Sequence, residues 1–480
     1  MRPGSFGRAR RSLSGAALAL TIVLGATLPH AGYTQEGVAG TIAAVGARDG
    51  RAVLDAIVTE ALRHNLGLEQ ERLLVSRAET EVRRARGGYL PSLSLTGRYS
   101  EQSGAVDLGD FVNPVYATLN QLTGTGSFPT DLSVTVPFAY ESRARLVQPL
   151  FNERIRAGHA AARAGHESQR ASSNAFARGL AADAQTAFLR VGAARSATAT
   201  WAAAVELVLE AERVAQRLVD AGTATPDAVF RARAERSDIE QRLLEAREVE
   251  AAASRAFNRL LDRPLDEPVA TLPDGALLFG IDLTEEEALA AAREGRDELA
   301  ALDAGIGVAD AGVRGATAAF LPDVAVALDY GFQGNEVTFG RDRDFWMASL
   351  IVSWNLFNGG QDAARRSAGQ ADARRLRLAR EEAEDLIRLE VRQAYRLAVV
   401  ARDAIDTADA RLAAARRTFE LVRRRYEEGL ATSIDFLDAR TTLTGAELNR
   451  VVTAHTYAIR WVELERAAAL RSVSALEASR

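Results

Sequence analysis

Two copies of one pattern run through this chain, and that duplication limits its possible folds more than any single residue does. Tyr89-Leu90-Pro91, followed by an alternating Ser-Leu-Ser-Leu-Thr run, returns as Phe320-Leu321-Pro322 followed by Asp-Val-Ala-Val-Ala-Leu. Pro149-Leu150-Phe151-Asn152 returns as Asn355-Leu356-Phe357-Asn358, and Asp220-Ala221-Gly222-Thr223-Ala224-Thr225 returns as Glu427-Glu428-Gly429-Leu430-Ala431-Thr432. The spacings are 322 − 91 = 231, 357 − 151 = 206 and 429 − 222 = 207, so they fall once and then hold. The halves are one design differing mainly in one loop, and a duplicated unit is normally built to pack against its own copy. The expected division is a signal segment at 1–31, a first repeat at 51–262, a linker at 263–282 and a second repeat at 283–475.

Proline punctuates the pattern. None lies between Pro149 and Pro226 and none follows Pro322, which leaves two very long stretches free of helix breakers. One unbroken helix from Asn152 to about Ala221 would span roughly 100 Å at 1.5 Å per residue, too long for a globular core. Trp201, Ala204, Val208, Ala211, Ala215 and Leu218 step by three and four. Ala394, Ala398, Ala401, Ile405, Ala408, Leu412, Ala415, Phe419, Val422 and Tyr426 do the same in the second half. That alternation makes a coiled-coil seam, and alanine on it lets helix backbones approach closely. Each long helix is expected to end at a glycine, Gly222 or Gly429, where a left-handed residue reverses the chain. A second helix then returns through Val229, Ala232, Ile239, Leu243 and Ala246, or through Leu448, Val451, His455, Ala458 and Val462.

After Pro91 and Pro322 the period changes to two. Leu93, Leu95 and Tyr99 alternate with Ser92, Ser94, Thr96 and Arg98; Val324, Val326, Leu328, Tyr330 and Phe332 alternate with Asp323, Ala325, Ala327, Asp329 and Gln333. One apolar and one polar face over roughly 9 to 11 residues is what a tilted membrane-crossing strand requires. Return strands are expected before Phe151 and Phe357, the second with Trp346, Ala348, Leu350, Val352 and Trp354 on one face and its tryptophans suited to an aromatic girdle. Polar loops at about 101–131 and 334–343 join each pair.

Composition excludes several function classes. There is no cysteine and no lysine, so disulfides, thiolate metal sites, an acylated N-terminal cysteine and a phosphate-binding Gly-Lys-Ser/Thr loop are ruled out. The net charge is −5, and removal of a signal segment carrying Arg2, Arg8, Arg10 and Arg11 and no acid gives −5 − 4 = −9, a poor balance for nucleic acid. That segment has a basic start, an apolar stretch from Ala16 to Leu28 and then small residues, with a cleavage point between Ala26 and Gly32. Arg10-Arg11 leaves twin-arginine export open beside the general secretory route. Nothing after it is apolar for long enough to span a membrane as a helix, so membrane insertion requires strands.

Four strands per chain cannot close a barrel, and an open sheet in lipid leaves edge hydrogen bonds unsatisfied at several kcal/mol each, so copies must combine. Eight strands from a dimer would fill the interior with side chains, whereas twelve from a trimer leave a hole. The polar inner faces favour the hole.

The run Tyr426-Glu427-Glu428-Gly429-Leu430-Ala431-Thr432-Ser433-Ile434-Asp435-Phe436-Leu437-Asp438-Ala439 resembles the tip motif of the TolC-like outer-membrane efflux proteins. The paired Leu-Pro junctions at Pro91 and Pro322 and the Asn355-Leu356-Phe357-Asn358-Gly359-Gly360 segment are similar to that family's other marks, and the likeness covers essentially the whole mature chain. It implies mixed helical and transmembrane β structure, a homotrimer with a twelve-stranded barrel in outer-membrane lipid, and a twelve-helix tunnel across the periplasm. It further implies docking to a periplasmic adaptor and, through it, an inner-membrane pump of an efflux or type I secretion system. No cofactor, no catalysis and no nucleic-acid partner are implied.

Carried over position by position, the family's two acidic residues at the narrow periplasmic end fall on Asp435 and Asp438. Three copies would stack two carboxylate rings, a cation-selective constriction whose like charges raise one another's affinity for protons. The plainer reading is two solvated aspartates favoured by a helix N-terminus. Gly222, Gly429, Leu430 and Thr432 look like the adaptor-docking tips, although the glycines equally serve the turn itself. The first repeat departs from the pattern, with Ala228 opposite Asp435 and Asp227 one residue early, and Ala431 stands where relatives with a tip ion pair carry arginine. Arg233 and Tyr426 are left as other polar groups near the tip.

No metal site is expected, since His159 and His166 lie seven apart without arranged acids and His166-Glu167 lacks a second histidine. His455, on a seam, reads as a packed core histidine. The many Glu–Arg pairs read as solvated faces with i,i+4 support. Two other classes compete: a periplasmic adaptor, which would show one hairpin flanked by halves of a biotinyl-lipoyl-like domain, and a secreted coiled-coil scaffold, which leaves the alternating strands unexplained. The cargo is not written in the chain.

Overall fold

A computed structural model describes residues 50–471 apart from 102–105, 134, 137–138, 278 and 335–343. The expected signal segment at 1–31 and nearly all of the second polar loop therefore lie outside the described residues. In chain order the elements are α1 (Gly50–His64), α2 (Leu66–Gly87), β1 (Ser92–Tyr99), β2 (Val106–Asp107), α3 (Gly109–Thr123), β3 (Thr135–Val136), β4 (Tyr140–Phe151), α4 (Glu153–Asp220) and α5 (Asp227–Leu260). The second half contributes α6 (Glu285–Gly295), α7 (Asp297–Thr317), β5 (Asp323–Gly334), β6 (Asp344–Ser353), α8 (Gln361–Glu427) and α9 (Ser433–Ala467).

The two long helices, 68 and 67 residues, match the proline-free stretches. Their seams bury as the heptads require: Ala204, Val208, Ala211 and Ala215 in α4, and Ala394, Ala398, Ile405, Ala408, Ala415, Phe419 and Tyr426 in α8. Each packs antiparallel against its return helix, α5 or α9, and α4 also packs on α9, so the two hairpins share a face. His455 is buried on that face, its Nδ1 within 3.0 Å of the Val451 carbonyl oxygen. Gly192 of α4 leaves it room, since a Cβ there would meet the imidazole Nε2 at 2.9 Å.

Helices preceding the strands are an addition to the sequence reading. In α2 and α7 the helix runs up to the Leu-Pro junction, Pro91 or Pro322 follows, and a strand begins one residue later. The residue before proline is steered to extended backbone, so the helix stops there. Helices α2 and α7 then pack alongside α4 and α8, extending the helical layer toward the sheet. Asn65 starts α2 by accepting from the N–H groups of Gly67 and Leu68 at 2.9 and 3.1 Å, a side-chain cap of the orphan donors.

A belt of core surrounds the middle of α4 and the C-terminal part of α9. Val53, Leu54, Ile57, Val58 and Leu62 of α1 are buried there with Phe188, Phe257 and Trp461. Segment 263–282, read as a linker, also contributes Val269, Leu272 and Leu277 to this core. Buried arginines brace this level, Arg178 across the two repeats and Arg296 within the second. Arg178 of α4 donates to Asp297 of α7 at 2.7 Å and to the Gly295 carbonyl at 3.0 Å, and Arg296 donates to Glu390 of α8 at 2.9 Å and to the Ala467 carbonyl at 3.1 Å. The Glu–Arg pairs are thus not only i,i+4 supports on solvated faces. Many bridge helices: Arg377 to Asp310, Arg380 to Asp303 and Arg396 to Glu285 at 2.6, 3.1 and 3.1 Å.

The strands form one antiparallel sheet in the order β1-β4-β5-β6, with β4 and β5 joining the two repeats. Cross-strand partners share a face, so the register puts Leu93, Leu95, Leu146, Val326, Leu328, Tyr330, Trp346, Leu350 and Val352 on one side, and these are largely exposed. The opposite face carries Ser94, Thr96, Arg98, Glu141, Arg143, Arg145, Asp329, Gln333 and Ser349. Trp354 lies just past β6 and donates its indole N–H to the Phe320 carbonyl at 3.1 Å. Within the described residues β1 and β6 have one strand neighbour each, the open edges that lipid does not tolerate. No described helix is long and apolar enough to cross a membrane.

The first loop is not simply polar. It holds α3 and the β2–β3 pair, clipped by Asn120, which bonds both the N–H and the carbonyl of Phe128 at 2.9 and 2.7 Å, and by Asn113, which does the same for Leu132. Asparagine side chains that mimic backbone partners let so small a piece order itself.

Candidate functional site

The two tips are built by the same backbone device. In the first, the Thr223 N–H donates to the Leu218 carbonyl and the Gly222 N–H to the Val219 carbonyl, both at 2.9 Å; in the second, the Leu430 N–H donates to Arg425 at 2.7 Å and the Gly429 N–H to Tyr426 at 3.0 Å. This is the paired closure that satisfies orphan carbonyls at a helix end through a left-handed residue. Gly222 and Gly429 supply it, at φ 72° and 74°. Open space surrounds both glycines, so their first duty is conformational.

The return helices start differently. Thr432 caps α9: its hydroxyl oxygen accepts from the Asp435 N–H at 3.2 Å, while the Asp435 carboxylate accepts from the Thr432 N–H and hydroxyl at 2.9 and 2.7 Å. This reciprocal capping box gives Thr432 and Asp435 a structural role in addition to any at the entrance. The hydroxyl and N–H of Thr432, assisted by the Arg425 charge, hold the Asp435 carboxyl below the usual carboxylate range. Asp438 follows three residues on and is exposed, as Asp435 is, so both carboxylates stand near the start of α9 and on its open side. In the first repeat Pro226 occupies the cap position with no side-chain cap. Asp227 instead accepts from the Thr225 hydroxyl and pairs with Arg231 at 3.2 Å, both of which lower its carboxyl's proton affinity.

Among the docking candidates, Leu430 alone combines tip position, 66% exposure and no capping or φ requirement. Tyr426 and Arg233, left as available polar groups, are both engaged. Tyr426 is buried against Phe436, ring centroids 4.9 Å apart, with Phe419 also on Phe436 at 5.6 Å, and burial pushes the Tyr426 phenol's pKa up. Arg233 donates to Glu212 of α4 at 2.8 Å.

One residue of the site escaped the sequence reading. Arg440, only 2% exposed, lies between the return helices, where its Nη2 donates to Glu235 of α5, while Nε and Nη1 have no hydrogen-bond partner. Burial holds its guanidinium below the usual arginine range, with Glu235 and then Asp238 pulling the other way. The signal was present: Arg440 sits in the buried row Phe436, Ala439, Leu443 and Ala446, where a charge is out of place. Beside it, Arg231, Ala234, Glu235, Ile434, Leu437, Asp438 and Thr441 line an open groove between α5 and α9. No group of three or more histidine or acidic side chains that could hold a metal ion occurs among the described residues.

Solved structures with this fold include the CmeC outer membrane channel of Campylobacter jejuni (16% identity, 87% of this chain and 85% of that one, TM-score 0.72) and the outer membrane protein VceC of Vibrio cholerae (18%, 87% and 96%, 0.72). The open-state MtrE outer membrane channel of Neisseria gonorrhoeae is similar as well (20%, 87% and 88%, 0.70). No curated protein matches the chain. A family model described as outer membrane efflux protein matches residues 57–262 and 288–470, one span in each half. The chain belongs to the outer membrane efflux protein family, the outer-membrane channel components of tripartite efflux systems, whose fold joins a strand section in the outer membrane to a helical tunnel in the periplasm.

Proposed function

We propose that this chain supplies one third of a homotrimeric exit duct that performs no catalytic step, with repeats 51–262 and 283–475 contributing alternate sectors of its wall. Three four-stranded sheets close a twelve-stranded barrel wide enough for a lumen, and closure satisfies the open edges of β1 and β6. The tunnel's periplasmic mouth is narrowed by Asp435 and Asp438. Two carboxylate rings one helical turn apart favour cations, and their mutual repulsion opposes the depression that Thr432 imposes on Asp435 in a single copy. The tips at Gly222, Gly429, Leu430 and Thr432 meet a periplasmic adaptor, which links the duct to an inner-membrane pump.

The observation that carries this reading is the exposure of both carboxylates at the start of α9, directly beyond a glycine-closed tip. The test is single-channel recording of purified protein in which Asp435→Asn and Asp438→Asn are combined. Loss of cation preference is expected, and an unchanged preference removes the constriction. For docking, Leu430→Glu is the clean probe, because substitutions at the glycines or Thr432 also disturb the turn. Efflux should fall while trimers persist in the outer membrane.

A further inference from the structure

The polar face of the sheet holds a charge arrangement that the entrance does not account for. The register sets Arg145 opposite Asp329 and Arg143 opposite Gly331 on that face. Asp329 is 1% exposed, and the Nε atoms of Arg143 and Arg145 stand 3.8 and 3.6 Å from its Oδ1, beyond hydrogen-bond reach. Both carboxylate oxygens and both Nε atoms are buried without a hydrogen-bond partner. One carboxylate thus faces two guanidinium groups and neutralises only one. Their side chains as a whole are about one third exposed, against 1% for Asp329, so each arginine stays partly open on this face.

Neighbouring groups do not cancel the surplus. On β1, Thr96 and Ser94 face Arg143 and Arg145, and Arg98 is occupied by Glu141 at 3.2 Å. On β6, Phe345, Met347 and Ser349 share the face with no charge. Lower down, Asp323 is paired with Arg154 of α4 at 2.6 Å. Among the described strand residues of this face away from that pair, three arginines stand against two acids, 3 − 2 = +1 per chain. Opposite Arg143, β5 offers no side chain at all: the position is Gly331, packed so closely that a Cβ there would meet the Ser142 carbonyl oxygen at 2.2 Å and the Phe345 ring at 3.2 Å.

We propose that Arg143 and Arg145, held over Asp329, form a girdle in the strand section that binds carboxylate- or phosphate-bearing solutes on their way out. This rests on the trimeric duct reading, which turns the polar face inward and repeats the pair around the lumen. Planar bidentate guanidinium groups suit both anions, and a ring of like charge in a narrow passage sets ion preference. The duct then opposes two signs along its length, carboxylates at the periplasmic tip and guanidinium groups in the membrane.

The test records purified channels in planar bilayers under a KCl gradient, with Asp435→Asn and Asp438→Asn present so that the tip contributes no charge. The reversal potential is expected to show anion preference, and Arg143→Gln with Arg145→Gln should reduce it severalfold. Arg143→Lys with Arg145→Lys should retain it, and Asp329→Asn should increase it. Tripolyphosphate added on the barrel side should block the parent and spare the glutamine variant. Conducting channels whose preference is the same in parent and glutamine variant overturn the girdle while leaving the duct intact. Should the glutamine variant not assemble, an unchanged preference in Asp329→Asn overturns it equally. Absence of any conductance in the parent instead overturns the duct.

Discussion

Arg233 and Arg440 occupy equivalent places, 440 − 233 = 207 residues apart like the tip glycines, yet one is half exposed and the other buried. In the first repeat the arginine pairs within its own hairpin, with Glu212 of α4; in the second it pairs across to the other hairpin, with Glu235 of α5. The aromatic cluster diverges in the same direction. Phe436 and Tyr426 correspond to Val229 and Val219, and Phe419 corresponds to Glu212 itself. Asp435 and Asp438 correspond to Ala228 and Arg231. The shared part is the backbone closure at Gly222 and Gly429. The lesson is that duplication preserved the turn and let the second tip acquire a tighter core, an inter-hairpin ion pair and two exposed carboxylates.

The largest expected asymmetry is in packing. Phe436→Ala should cost about 3–5 kcal/mol of local stability, as large-to-small changes at buried aromatics do, whereas Val229→Ala, removing about two methyl equivalents, should cost about 1.5–2 kcal/mol. Hydrogen exchange of tip peptides in detergent-solubilised protein reads both, and equal effects would break the contrast between the tips.

Next comes the ion pair. Arg440→Ala strands Glu235 beside a buried surface and should cost about 2 kcal/mol, below the usual figure for breaking a buried pair because Glu235 keeps some water. Arg233→Ala should stay within about 1 kcal/mol, as exposed pairs do. Arg440→Met combined with Glu235→Gln should recover most of the loss, and failure to recover would assign the effect to packing rather than charge.

The smallest effect sharpens the difference in capping. Thr432→Ala should cost about 1 kcal/mol, and Thr225→Ala less, since the first return helix has no side-chain cap. The pH dependence has a definite sign. Asp435's carboxyl is lowered in the folded tip, so its stabilisation is present above the unfolded pKa and is lost as pH falls through the lowered value. Thr432→Ala should flatten that acid limb in a pH series of the same exchange experiment.

Legibility followed the range of the cause. The seams of α4 and α8, the glycine turns and the period-two strands came directly from spacing, because each depends on residues a few positions apart. Helices α2 and α7 went unread, their patterns being short and overshadowed by the Leu-Pro junctions that end them. Helix α3 was hidden in a stretch that reads as loop, with Pro114 inside it, and it is held by asparagine clips to residues beyond its end. Tyr426 and Arg233 were visible as polar groups, but their partners were not.

By itself the sequence determined the duplicated hairpins, the strand faces and the positions where the chain must turn. Backbone conformation and side-chain periodicity are local properties, and proline, glycine and alternation state them outright. Only the tertiary structure decided which of two equivalent arginines is buried, that Tyr426 packs on Phe436, and that Arg143 and Arg145 share a single carboxylate. Burial and charge pairing depend on what another, distant segment brings to the same place, and that proximity exists only once the helices and strands have packed.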